Sequence, residues 1–166
     1  MSAKGTNDAQ IRAAGAEEMD AVRGIFREYA DWLQVDYCLK DFEAELAGLP
    51  GAFAPPAGGL WLAWVGDDLA GCIGFRSLET GVCEMRRLWV REAFRGHRLG
   101  RQLVEAALAA ARAAGYARMS LETLGHMTAA RSLYANLGFR AEARAYDGLD
   151  DDLRYMVCDL TSPVAA

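Results

Sequence analysis

The residues from Glu84 to Arg101, EMRRLWVREAFRGHRLGR, hold the densest chemistry in the chain. Six arginines (86, 87, 91, 95, 98 and 101) stand against two acids (84 and 92), a local charge of +4. The whole chain carries −5, which leaves −9 for everything else. A positive island in an acidic protein points to a local anionic ligand. The run reads as a strand ending at Val90, after which the turn Arg95-Gly96-His97-Arg98-Leu99-Gly100 opens a helix. First-turn N–H groups of a helix lack intrahelical partners and carry partial positive charge. Glycine allows the backbone to approach a ligand closely. Together these features make a cradle for phosphate. The alternative is a surface helix with a basic cap.

Other chemistries have less support. The cysteines, Cys38, Cys72, Cys83 and Cys158, form no CxxC pair, and His97 and His126 are the only histidines. No metal site is expected from that set. Each cysteine sits in or beside an apolar run and reads as a buried, reduced thiol. The chain has 166 residues, 52% of them hydrophobic and 25% charged, which is one domain with a real core. Eighteen basic residues against twenty-three acidic argue against a general nucleic-acid binder. No apolar stretch approaches the ~18–20 residues needed to cross a bilayer. Met1 to Gln10 lacks the apolar core of a signal peptide. No membrane partner is expected, and the cytoplasm is the expected compartment.

The elements that must hold the arginine-rich segment follow from periodicity. Val22, Ile25, Phe26, Tyr29 and Leu33 have helical spacing within a helix from about Glu17 to Leu33. A shorter helix is expected over Asp41–Ala47, then a loop rich in proline and glycine from Leu49 to Gly59. Leu60–Val65, Leu69–Leu78 and Val82–Val90 read as three antiparallel strands joined at Gly66-Asp67-Asp68 and Glu79-Thr80-Gly81. A helix over Arg95–Ala114 stops at Gly115, and Met119–Glu122 is a strand. A further helix over Met127–Leu137 stops at Gly138, and Phe139–Ala145 and Leu153–Leu160 close the chain as strands. A weak strand at Gln10–Ala13 precedes them all. This order predicts an α/β domain over residues 10–160, a mixed sheet with helices on both faces. Residues 1–9 and 161–166 read as loose tails.

The six positions from Arg95 to Gly100 resemble the pyrophosphate-binding turn, Q/R-x-x-G-x-G/A, of the GNAT-family N-acetyltransferases. The departure is Arg98, where the family usually has glycine. EMRRLWV is similar to that family's central strand, LETL and MTAARSLYANLGF to its later strand and helix, and RYMVCDL to its last strand. Many members carry asparagine seven residues before the helix tyrosine. Met127 stands there, so any contact made by that asparagine is not carried over.

The resemblance implies a three-layer fold whose central sheet has six or seven mostly antiparallel strands and splays at the cofactor-binding strand. It also implies acetyl-CoA as co-substrate, without a metal. The pantetheine arm would lie along Leu88, Trp89 and Val90, bonding backbone groups of Leu88 and Val90, and an N–H near Leu88 would polarise the thioester carbonyl. The pyrophosphate would sit on Arg95, Gly96, His97, Arg98, Leu99, Gly100 and Arg101. Tyr134 holds the family's tyrosine position and is the candidate acid for the departing thiolate; the alternative is a core tyrosine. Glu84 is the candidate base. In a regular strand residues 84, 86, 88 and 90 share a face, which would put Glu84 beside the cofactor contacts. The alternative is a salt bridge with Arg86 or Arg76.

The expected reaction is direct attack by a primary amine on the acetyl group within a ternary complex, rather than passage through Cys83. A non-catalytic acyl-CoA-binding module is the rival, and it would need neither Tyr134 nor Glu84. The acceptor is expected to be a small, amino-acid-like amine. Its groove would draw on Phe26, Tyr29, Trp32, Tyr37 and Tyr146, any of which reads equally as core. Arg76 and Arg86 are candidates for a substrate carboxylate. The acidic run Asp147, Asp150, Asp151, Asp152 would attract a cation or be a solvated turn. His97 reads as a surface residue or a phosphate neighbour rather than a base, and His126 as solvent-facing. Homodimers are common for such folds, and nothing in the sequence specifies an interface.

Overall fold

Apolar residues one helical turn apart on the first helix, and two residues apart along the strands, give every element one face to bury. In the computed structural model, which describes residues 9–33, 41–143 and 152–161, they do so on the two sides of one sheet. The strands are β1 (Ala9–Ala13), β2 (Gly59–Val65), β3 (Asp68–Glu79), β4 (Val82–Val90), β5 (Arg118–Leu124), β6 (Phe139–Ala141) and β7 (Leu153–Asp159). The helices are α1 (Met19–Leu33), α2 (Phe42–Ala47), α3 (Leu99–Ala113) and α4 (Thr128–Asn136). The sheet order is β1-β2-β3-β4-β5-β7-β6. Among the described residues only the β4–β5 pairing is parallel.

On one face Val22, Ile25 and Phe26 of α1 and Leu46 of α2 pack against Leu60, Leu62 and Cys72. On the other, Leu99, Leu103 and Ala107 of α3 pack against Ala63, Ile73 and Phe75, and Tyr134 of α4 joins the same cluster. Burial at this scale is the main stabilising term for such a domain.

Two irregularities shape the centre of the sheet. First, β4 and β5 pair only from Val82 to Glu84 against Arg118 to Ser120. Beyond that point β4 stays with β3 and β5 stays with β7, so the two parallel strands diverge into a V. The edge of β4 after Glu84 has no strand partner among the described residues. Second, two residues of β4, Arg87 and Leu88, lie opposite the single residue Ile73 of β3. This is a β-bulge, and Arg87 sits at φ +62°, a left-handed conformation that costs an L-residue about 1–2 kcal/mol. The offset is visible. The Arg87 guanidinium bonds Glu45 of α2 at 3.1 Å and lies over the Phe42 ring at 5.1 Å.

The bulge corrects the expectation of a regular strand. Cys83 and Met85 face α3, and after the inserted residue Leu88 and Val90 face it too. Glu84 and Arg86 therefore lie on the α1 side with Trp89, not on the side of Leu88 and Val90. Other boundaries moved less. α3 begins at Leu99 rather than Arg95, because Gly96 and Arg98 have φ of +88° and +60° and cannot be helical. A 3-10 turn, Glu92–Phe94, fills the gap. β6 ends at Ala141, short of Ala145. Ala9, expected in a loose tail, is in β1, and the rest of that tail lies outside the described residues.

Candidate active site

The V between β4 and β5 opens into a cavity of about 1030 Å³. Its walls come from β4 (Glu84–Val90), the turn Phe94–Gly96 and Arg98–Arg101, the end of β5 and the start of α4; His97, a predicted phosphate neighbour, is not among the lining residues. The small residues Thr128-Ala129-Ala130 at the start of α4 leave the space open opposite Gly100. That run is the sequence signal for a wall that motif reading did not identify.

At the turn, the first bond within α3 runs from the Gln102 N–H to the Arg98 carbonyl at 3.1 Å. The Arg95 amide donates to the Glu92 carbonyl at 3.2 Å. The amides from Gly96 to Arg101 have no partner among the described residues, and no side chain caps the helix. Gly96, His97, Arg98 and Arg101 are exposed, so these amides face open space at the positive end of a fifteen-residue helix. A Cβ at Gly100 would stand in ordinary van der Waals contact with Leu133 Cδ2 at 3.4 Å.

The arginine island resolves into pairs. Arg86 bonds Glu84 at 3.1 Å, Arg87 bonds Glu45, Arg91 bonds Glu28 at 2.9 Å, and Arg101 bonds Glu105 at 2.8 Å. Arg95 lies over the Trp89 ring at 5.0 Å and donates from Nε to the Val90 carbonyl. Arg98 has no partner among the described residues. The excess charge that stands out in the sequence is thus largely answered within the fold. The positive character of the turn rests on its amides, with Arg98 beside them.

Tyr134 projects from α4 into the cavity wall and is 6% exposed. Its ring meets Phe139 edge-on at 5.8 Å, and its hydroxyl has no hydrogen-bond partner among the described residues. Burial, with Tyr29 nearby, pushes its ionisation well above the ordinary phenol range. Across the V, Glu84 lines the same cavity. Its Oε1 accepts from Arg86 Nη1 at 3.1 Å and Arg76 Nη2 at 3.4 Å, so both pairings considered from the sequence are present.

Tyr29 and Trp32 of α1 stand with Trp89 as an aromatic wall, with ring centroids 5.0–6.5 Å apart. Phe26, considered for that wall, is fully buried against Phe53 and belongs to the core. Tyr37, Tyr146, Cys38, Asp147, Asp150 and Asp151 lie outside the described residues. His126 is exposed, and its Nδ1 pairs with Asp152 Oδ2 at 2.5 Å. That contact holds the Asp152 carboxyl below the usual carboxylate range, first through the ring hydrogen bond and then through the His126 amide. Cys72, Cys83 and Cys158 are free and buried. Burial pushes the Cys83 thiol up to about 12. Among the described residues no three metal-ligating side chains come together, and no helix is long and apolar enough to cross a membrane.

A sequence profile of the acetyltransferase (GNAT) family matches residues 19–139. An uncharacterized N-acetyltransferase of Schizosaccharomyces pombe is 29% identical, over 87% of this chain and 90% of that protein. Among solved structures, yncA from Salmonella typhimurium with its cofactor acetyl-CoA superposes with a TM-score of 0.68 at 21% identity, covering 95% and 96% of the two chains. The PaiA N-acetyltransferase from Thermoplasma acidophilum in complex with coenzyme A gives a TM-score of 0.72 at 16% identity, covering 92% and 99%.

Proposed function

The chain belongs to the GNAT acetyltransferase family, and on that premise we propose that it moves an acetyl group from acetyl-CoA to the primary amine of a small, amino-acid-like acceptor, by direct attack in a ternary complex. One observation carries the reading. The unpaired amides from Gly96 to Arg101 and the unpaired edge of β4 border one cavity, and they match the two halves of the donor. A diphosphate suits the helix N-terminus. An amide-rich arm suits a strand edge with open N–H and C=O groups. The relatives solved with acetyl-CoA and coenzyme A support the same assignment. The thioester supplies an activated acyl group and a thiolate leaving group.

In this reading the backbone from Leu88 to Val90 orients the arm, and an N–H near Leu88 polarises the carbonyl as negative charge builds on its oxygen. Tyr134 gives its proton to the departing sulfur. Its raised ionisation keeps that proton in place through the neutral range. Glu84, on the acceptor side of the strand, receives the amine's proton through water. Replacing Glu84 by Gln should depress the rate most at acidic pH, where the amine most needs help to lose its proton. An unchanged pH–rate profile would remove Glu84 from the mechanism. Cys83 takes no part, since its thiol is held protonated and has no imidazole beside it.

The test has two stages. Calorimetry with coenzyme A should give a saturable heat, and release of free CoA should follow when acetyl-CoA and a panel of amines are supplied. No heat with coenzyme A overturns the reading. Tight binding without turnover on any amine favours the acyl-CoA-binding module instead.

A further inference from the structure

We propose that the acceptor carries an anionic group next to its amine, an α-carboxylate in the simplest case, and that Arg86 is the residue that reads it. This rests on the transferase reading above and names the class of acceptor.

The argument begins with unequal pairing. Arg87 and Arg91 on the central strand each have a carboxylate of their own, Glu45 and Glu28. Glu84 has two guanidinium groups, Arg86 and Arg76, and both bond the same oxygen, Oε1. Two positive charges share one negative charge. The setting is partly buried: the side chains of Arg76, Arg86 and Glu84 are 32%, 22% and 9% exposed. An unmatched charge withdrawn from water is unfavourable until an opposite charge meets it.

The cavity selects which arginine is available. Arg86 and Glu84 both line it, whereas Arg76, on β3, does not. Arg86 spends only Nη1 on Glu84. Its Nε and Nη2 donors have no partner among the described residues, and a guanidinium is shaped to hold a carboxylate through two parallel N–H groups. If Arg86 turns toward a substrate, Arg76 still holds Glu84 in place.

This anion cannot be the donor's diphosphate. Arg86 lies on the α1 side of the sheet, and the bulge after it puts Leu88 and Val90 on the side of α3, whose N-terminus carries the open amides. Tyr29, Trp32 and Trp89 line the same cavity and suit the apolar remainder of a small molecule. Glu84 Oε2 has no partner among the described residues and is free to accept from an ammonium. A carboxylate oxygen and a guanidinium about one hydrogen bond apart match an amine and a carboxylate on one carbon.

Matched trios test this on the full chain: an amino acid, its carboxamide and its decarboxylated amine, compared by kcat/KM for CoA release. The wild type should prefer the acid over the other two by about 10–100-fold, the range for a hydrogen bond to a charged group. R86Q should remove that preference by raising KM for acids about 10-fold or more. It should leave KM for acetyl-CoA within about twofold and slow carboxamides far less than acids, and R86K should restore part of the preference. The heat of coenzyme A binding, retained by both variants, reports that they are folded. Equal turnover of acids and carboxamides by the wild type overturns the inference and leaves the transferase intact. So does an R86Q variant that slows both equally while keeping its coenzyme A heat. Coenzyme A binding with no turnover of any trio overturns the transferase reading, and the inference with it.

Discussion

Replacing Tyr134 by Phe isolates one atom, and the surroundings of that atom set the size of the effect. The ring is fixed by its edge-on contact with Phe139 and by the α3-side core, contacts that a phenylalanine keeps. The hydroxyl bonds no protein group among the described residues, so its removal breaks no internal hydrogen bond. The melting temperature should stay within a degree or two or rise slightly, because a buried hydroxyl without a partner contributes little stability. The rate should behave differently. A positioned acid contributes about 10²–10⁴-fold, or roughly 2.7–5.5 kcal/mol of barrier. We expect kcat for CoA release to fall by at least about 100-fold. KM for acetyl-CoA should change by less than about twofold, because the Gly96–Arg101 amides are untouched. The sign of the pH dependence follows from burial. An acid works while protonated, and Tyr134 is held protonated beyond the ordinary phenol range, so it produces no loss of activity between pH 7 and 9 in the wild type. A variant retaining more than about a third of wild-type kcat would refute the acid role. A variant that loses coenzyme A binding in calorimetry would show that the tyrosine packs the site rather than serving it.

Three further outcomes follow from the same geometry. Gly96→Val places a β-branched residue at φ +88° with no side chain in its way, so the cost is conformational, about 1–2 kcal/mol. Coenzyme A affinity by calorimetry should drop about 5–30-fold, and an unchanged Kd would mean that the turn does not hold the ligand. Cys83→Ala should keep kcat within about threefold, because a thiol held near 12 is not a nucleophile at pH 8; a loss beyond about 100-fold would point to an acyl-enzyme. Glu45→Ala removes one carboxylate partner of an Arg87 side chain only 4% exposed. Losing that hydrogen bond between charged groups costs about 1.5–3 kcal/mol, which should lower the melting temperature by about 3–12 °C, and an unchanged melt would show that the pair contributes nothing.

Much of this architecture is legible along the chain because its causes are local. The bounds of β4 agree with the reading from sequence, since the turn Glu79-Thr80-Gly81 precedes it and β-branched Val82 and Val90 bound it. Gly115 and Gly138 do stop α3 and α4, at φ +91° and +99°, where a side chain would be strained. The charge pattern was less informative, because its answer lies far away. Arg91 finds Glu28 across 63 residues and Arg87 finds Glu45 across 42, and no window of sequence contains both partners. Phe26 and Tyr29 belong to one helical stripe, yet the first is core and the second lines the cavity, together with Trp32 and Leu33 from the end of α1.

The bulge is the instructive failure, because it has a cause but no local signature. Bulges of this geometry favour glycine, and here the left-handed residue is Arg87, flanked by Arg86 and Leu88. Nothing in that tripeptide breaks a strand. The conformation is held from outside, by Glu45 and Phe42 of α2 gripping the guanidinium and by the Cys72 thiol bonding the Arg87 carbonyl at 3.2 Å. Its consequence reaches the chemistry. With a regular strand, Glu84 and Arg86 would share a face with Leu88 and Val90, and acceptor and donor would compete for one side of the sheet. One inserted residue gives Glu84, Arg86 and Trp89 to the α1 side and Leu88 and Val90 to the α3 side. In the proposed reading the amine and the thioester reach the open edge of β4 from separate sides, so neither displaces the other as the reacting atoms are brought together.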